Sequence, residues 1–84
     1  MTLQYKDVEN YLYNTLQEKL KLFGVSREEF IDSFQLLPGL IDSLGFLELV
    51  AQVEQDLKVE MDFELADPEQ YTTLAGFIHC IKGL

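Results

Sequence analysis

Few side chains in this sequence pair a reactive group with a position that would expose it. The clearest is Ser43, in the stretch Gly39-Leu40-Ile41-Asp42-Ser43-Leu44-Gly45-Phe46-Leu47-Glu48-Leu49-Val50. The serine follows a turn and opens an amphipathic helix, so its hydroxyl is expected in solvent. The first turn of a helix presents unpaired N–H groups, and these favour an anionic group attached there. Asp42 is a good N-cap, and its charge suits the positive end of the helix. Asp42-Ser43 also has a plainer reading, as a cap and nothing more. The same pair of letters recurs at Asp32-Ser33. That copy sits in a short helical stretch that Pro38 ends, with no long amphipathic helix behind it, so Ser43 is the expected site and Ser33 a decoy.

The outward face of the same helix is the second feature. On a helical wheel Phe46, Val50, Val53 and Leu57 form the buried centre, flanked by Leu47 and Leu49. Leu44, Glu48, Ala51, Gln52 and Gln55 fall opposite. An apolar Leu44 ringed by carboxylates reads as a docking patch. The plain alternatives are that Glu48, Glu54 and Asp56 form a solvated face, that Glu54 pairs with a lysine, and that Leu44 packs on the preceding connector. Residues 1–42 carry 4 basic and 7 acidic groups, and residues 43–84 carry 2 and 8. The serine therefore opens the more acidic half, whose field attracts basic partners.

Other reactive side chains do not converge. His79 lies opposite the apolar stripe of the last helix and has no second ligand or nucleophile near it in sequence. Cys80 borders that stripe as a small filler. Tyr5, Tyr11, Tyr13 and Tyr71 read as core or rim aromatics. The acidic residues from Asp56 to Asp67 lack the glycine and closing glutamate of a calcium loop. No catalytic residue and no metal site is expected, and the chain is not expected to be an enzyme.

Length and charge narrow the classes further. The chain has 84 residues, 6 Lys and Arg against 15 Asp and Glu, a net charge of −9, and 48% apolar types. That is one small domain over 1–84. Leu, Ile, Val and Phe are spread too evenly for a disordered acidic tail. Six scattered cations cannot neutralise a phosphate lattice, so nucleic acid is not an expected partner. No apolar run approaches the ~20 residues a bilayer requires. Met1 leads into Gln4, Lys6, Asp7 and Glu9, which argues against a signal peptide. One cysteine excludes an intramolecular disulfide. A cytoplasmic monomer is expected.

The elements that must position Ser43 are helical. Tyr5, Val8, Leu12, Leu16, Leu20 and Phe23 recur at spacings of three and four, which predicts one helix over about 3–23 ending at Gly24. Ser26 and Glu29 form a capping box for a helical piece in which Phe30, Phe34 and Leu37 share a face. Pro38-Gly39 is a turn. The helix after Asp42 runs to about Lys58. Leu57, Val59, Met61 and Phe63 then alternate with polar residues, which reads as an extended connector without a strand partner. Asp67-Pro68-Glu69 opens a short helix ending near Tyr71. Thr72 or Thr73 caps a last helix with Leu74, Phe77, Ile78 and Ile81 inward, closed by Gly83. The fold class is all-α, with three main helices, a short one before the last, and a long loop between the first two.

Taken together, the sequence resembles the acyl carrier and peptidyl carrier protein family. The likeness rests on Asp42-Ser43-Leu44 at a helix start, Glu48-Leu49-Val50, Glu54, Asp56-Leu57, Val59-Glu60-Met61 and Thr72-Thr73-Leu74 before a final helix. It covers nearly the whole chain and implies a four-helix acyl-carrier-type bundle. It further implies that a phosphopantetheinyl transferase moves 4′-phosphopantetheine from coenzyme A onto Ser43, beside Asp42. The thiol of that arm would then hold an acyl or aminoacyl group as a thioester. Partners with basic docking surfaces, the loading and downstream biosynthetic enzymes, would bind around Leu44, Glu48, Ala51, Gln55 and Asp56. The pathway could be fatty-acid, polyketide or nonribosomal-peptide synthesis. Two residues, Leu40 and Ile41, separate the turn glycine from the aspartate where common acyl carriers have one, a version more similar to stand-alone aminoacyl carriers, the D-alanyl group included. Gly45 and Gln55 stand where acyl carriers are often acidic. The starting Met and the length suit a free-standing carrier. The rival readings are an acidic helical interaction module that is never modified, and a small metal- or cysteine-dependent enzyme.

Overall fold

A computed structural model describes residues 3–63 and 68–84 of the chain. The first helical unit has two parts, α1 (Tyr5–Thr15) and α2 (Gln17–Leu22), joined at Leu16. Leu16 departs from helical geometry (φ −95°, ψ 8°), yet its N–H still reaches Leu12 O at 2.9 Å and its carbonyl accepts from Leu20 N–H at 2.9 Å. The unit is thus bent but continuous. Val8, Leu12, Leu16 and Leu20 are buried along one stripe, as their spacing predicts. Phe23, expected at the end of that stripe, is 58% exposed instead. The helix stops at Leu22, and Gly24 adopts φ +71°, so the chain turns away before the ring can follow the stripe inward. Val25 N–H closes the turn on Leu20 O at 2.8 Å.

The expected helix after Ser26 is a single 3₁₀ turn, Arg27–Glu29, with Ser26 N–H donating to Glu29 Oε1 at 3.1 Å. Beyond it the connector behaves as extended chain. Phe34 O accepts from Leu74 N–H at 2.9 Å and Leu36 N–H donates to Thr72 O at 2.7 Å, with an antiparallel bridge between Gln35 and Thr73. This pairing gives a period of two. Leu36 is therefore fully buried while Leu37 is only half-buried, not the shared helical face of Phe30, Phe34 and Leu37. Ser33 lies in an exposed turn of this connector.

The long helix α3 (Ser43–Leu57) follows, and Lys58 ends it in the left-handed conformation. Phe46, Leu49 and Val53 are its buried residues; Val50 and Leu57 are half-buried. The buried centre is thus displaced from the expected one, and Leu47 is 65% exposed. Composition could not decide this. The helix is apolar on more than one side, and where its neighbours sit selects the inner face.

Residues 57–63 alternate between half-buried and exposed as expected, but the extended run does have a partner. Met61 bridges to Ile81, with Asp62 N–H on Cys80 O at 2.7 Å and Lys82 N–H on Glu60 O at 2.8 Å. The predicted cap at Asp67 lies outside the described residues. The short helix α4 (Pro68–Tyr71) and the last helix α5 (Leu74–His79) are present, and Thr73 caps α5 by accepting Gly76 N–H at 3.2 Å. Helix α5 ends at His79, short of Gly83, because Ile81 is taken by the bridge to Met61. Leu74, Phe77, Ile78 and Ile81 are all buried.

Aromatic rings tie α3 to the C-terminal helices. Phe46 meets Phe77 edge-on at 5.6 Å and Tyr71 at 5.3 Å, and Phe63 meets Tyr71 at 5.1 Å. Gly76 lies so close to α4 that a Cβ there would run into the Gln70 carbonyl. Among the described residues no polar side chain is buried, so the core is held by apolar packing. The all-α, four-helix layout is the one the resemblance implies, with the first helix bent and no strand among the described residues.

Candidate functional site

Ser43 is placed by the loop in front of it. Residues 36–40 form a loop closed by Ile41 N–H on Leu36 O at 3.1 Å. Leu37, Pro38 and Gly39 have non-helical backbone angles, Gly39 at φ +133° where glycine is favoured, and the Leu37–Pro38 peptide is cis. Both ends of the loop are anchored, since Leu36, Leu40 and Ile41 are buried. Asp42 follows in extended conformation (φ −98°, ψ −176°) as the N-cap of α3. Its Oδ1 accepts from Gly45 N–H at 2.7 Å, and its carbonyl accepts from Phe46 N–H at 2.8 Å. Ser43 is then the first helical residue and is exposed. Its own N–H and that of Leu44 belong to the open turn, which no preceding carbonyls serve.

The outer face of α3 carries Leu44 and Leu47, each 65% exposed. Glu48, Ala51, Gln52 and Gln55 are exposed beside them. Leu44 therefore does not pack on the connector. Leu47 was missed by the wheel, although the spacing of Leu44, Leu47 and Ala51 fits a second apolar stripe. The remaining candidates are less uniform. Asp56 lies thirteen residues beyond Ser43, about 20 Å along the helix. Its Oδ2 accepts from Tyr11 O–H at 2.6 Å, so it fastens α1 to α3 as well as adding charge. Burial first, then this bond, raises the Tyr11 phenol above its ordinary value. Glu54 accepts from Met61 N–H at 3.1 Å, so its partner is backbone, not a lysine.

Ser33 is exposed too, but its surroundings are structural. The Asp32 carboxylate accepts the Tyr5 hydroxyl, and the Asp32 carbonyl accepts Ala75 N–H at 3.0 Å. The other reactive side chains of the described residues lie apart from Ser43. His79 is exposed, its ring 5.7 Å from that of Tyr5. Burial, and then Asp62, push the Cys80 thiol up, which suppresses the thiolate. Among the described residues no group of three His, Cys, Asp or Glu side chains could hold a metal ion, and no helix is long and apolar enough to cross a membrane.

This arrangement offers a solvent-exposed hydroxyl at a capped helix start, with two apolar side chains and a carboxylate on the adjoining face. The protein family described as "Phosphopantetheine attachment site" matches residues 11–81, which takes in α3, the loop before it and both C-terminal helices. Comparison with curated proteins and with solved structures gives no match. The family match spans well over half of the chain, which therefore belongs to the phosphopantetheine-binding carrier family, whose members hold 4′-phosphopantetheine covalently and act as carriers, not catalysts.

Proposed function

We propose that this chain is a single-domain acyl or aminoacyl carrier that receives its arm at Ser43 and works as a monomer in the cytoplasm. The observation that carries the reading is the exposed Ser43 hydroxyl at the first position of α3, inside the residues that match the family. When bound, 4′-phosphopantetheine supplies a terminal thiol able to hold cargo as a thioester. The residues of this chain suit that group. The Ser43 oxygen is the nucleophile a phosphopantetheinyl transferase would use, with the base brought by the transferase. Asp42 keeps its carboxylate on Gly45 N–H and so holds the first turn of the helix that Ser43 opens. The open amides of that turn favour the phosphodiester. Leu44 and Leu47 form the apolar part of a docking face and Glu48 a charged part, against partners that are apolar at the centre and basic at the rim. Ala51 and Gln55 extend that face along α3, and Asp56 adds charge at its far end. Tethering raises the effective concentration of the cargo at each partner, which is what a non-catalytic carrier contributes.

The test is direct. The purified chain is incubated with coenzyme A and a broad-range phosphopantetheinyl transferase, and its intact mass is read. A gain of one arm is expected for the wild type and for Ser33→Ala, and none for Ser43→Ala. An unchanged wild-type mass would contradict the proposal.

A further inference from the structure

We infer that Leu22 and Phe23 are contact residues for the phosphopantetheinyl transferase that modifies Ser43, an inference that rests on the attachment proposed above. Leu22 is 81% exposed and Phe23 58%, beside Lys19 and Lys21, which are exposed as well. Their place follows from how the α1–α2 unit runs against α3. Tyr11 O–H donates to Asp56 Oδ2 at 2.6 Å, near the end of α3. Lys19 Nζ lies 3.7 Å from the point where a Cβ on Gly45 would stand, near its start. The two units are therefore antiparallel, and chain that continues past Lys19 passes the mouth of α3. Phe23 N–H donates to Lys19 O at 3.1 Å, which sets Phe23 one helical turn, about 5 Å, beyond Lys19. Leu22 and Phe23, three and four residues on, share that side of α2. They flank the mouth at the level of Asp42 and Ser43. Gly45 and Ser43 point roughly 200° apart around α3, so the pair lies across the mouth from the serine side chain and leaves it open.

Singly exposed apolar side chains are ordinary, but adjoining ones rimmed by charge mark a contact surface. What covers this one is set by place and by charge. The transferase is the partner that must reach the Ser43 oxygen itself. There the oxygen gains phosphorus, its proton goes to the transferase's base, and the adenosine bisphosphate half of coenzyme A leaves. An enzyme closing on that oxygen covers the helix mouth from its end, and so reaches Leu22 and Phe23 as well as Leu44. Enzymes that work on the cargo meet it at the far end of the arm and have no such need. Charge separates this patch from the outer face of α3. Lys19 and Lys21 border it in a chain of net charge −9, whereas Glu48 borders Leu44. The ion pairs among the described residues, Arg27–Glu9 and Lys82–Glu60, involve neither lysine. The matching transferase surface is therefore an apolar recess with carboxylate at its rim, beside the basic surface that meets Glu48.

The test measures transferase kinetics on the full unmodified chain, with a broad-range phosphopantetheinyl transferase, coenzyme A and intact mass as the readout. Wild type is compared with Leu22→Ser, Phe23→Ser, the double variant and Ile31→Ser. Ile31 is 52% exposed and makes the control: its neighbour Asp32 holds Tyr5, which lies about 20 Å from Lys19 along the helical unit. Every variant is expected to unfold at the wild-type urea concentration. In the double variant kcat/KM is expected to fall roughly tenfold through KM, with kcat unchanged, and in each single variant by less. Ile31→Ser is expected to keep the wild-type KM. A wild-type KM in the double variant, or an equal rise in Ile31→Ser, would overturn the inference and leave the attachment standing. Sedimentation equilibrium then names the true occupant: a wild-type dimer that the double variant dissolves assigns the pair to a second copy of the chain. No mass gain in the wild type would overturn both, so the two failures are distinct.

Discussion

The pair Asp-Ser occurs twice in this chain, and the two copies have opposite fates. At Asp42-Ser43 the carboxylate caps a fifteen-residue helix through Gly45 N–H, and the serine stands at its open end. At Asp32-Ser33 the carboxylate takes the Tyr5 hydroxyl, the carbonyl takes Ala75 N–H, and no helix follows. Both serines are exposed, so exposure does not separate them. What separates them is the element behind each. Around Ser43 there is an amide-rich helix mouth beside an apolar outer face, and around Ser33 a turn whose groups fasten the N-terminal helix and α5 to the connector.

If that contrast is right, damage near the second copy should unfold the protein, and damage near the first should alter what it does. The largest effect is expected for Phe30→Ala. Phe30 is fully buried, with the rings of Tyr13 and Phe34 at 5.9 and 5.3 Å, and its loss should cost about 3–5 kcal/mol in urea unfolding. Gly76→Ala comes next. Its Cβ would press α5 off α4 and loosen the residues that hold Asp32, at about 1–3 kcal/mol by thermal unfolding. Asp42→Ala removes one cap bond and should cost about 1 kcal/mol, with fraying of the first turn of α3 visible in amide hydrogen exchange.

Alkaline pH offers a further way to load the two regions unequally. Burial first, then the bond to Asp32, raise the Tyr5 phenol well above its ordinary value of 10.0. The folded state therefore favours the neutral phenol. Its contribution is fully present below the ordinary value and is lost as pH rises through the higher folded one. Melting temperature should fall in that alkaline window, and Tyr5→Phe should flatten the fall; an identical slope in the variant would show that the Tyr5–Asp32 bond does not matter. The smallest structural effect belongs to the outer face of α3. Leu44→Ser and Leu47→Ser should change stability by under about 0.5 kcal/mol while weakening binding to a loading enzyme in a titration.

Much of the first region could be read from the letters. Asp42 as a cap, the start of α3 at Ser43, its end near Lys58, and Leu44 outside are all local consequences of capping and periodicity. The same holds for Gly24, Thr73 and the buried stripe of α5. What could not be read depends on residues far apart in sequence. Leu47 is exposed and Leu49 buried because α5 and residue 63 place their rings on one side of α3. Leu36 displaces Leu37 because the connector pairs with Thr72. Met61 finds Ile81 twenty positions away, which alternation alone cannot announce. Lys19 approaches Gly45 only once α2 has folded against α3, so no spacing in the sequence hints at it.

The central claim is that one of two look-alike serines bears the arm. Peptide mapping of the enzymatically modified chain by tandem mass spectrometry separates them in a single experiment. The account predicts the added mass on the fragment ions that contain Ser43, with the Ser33 peptide unmodified. The arm on Ser33, or on any residue other than Ser43, would contradict it.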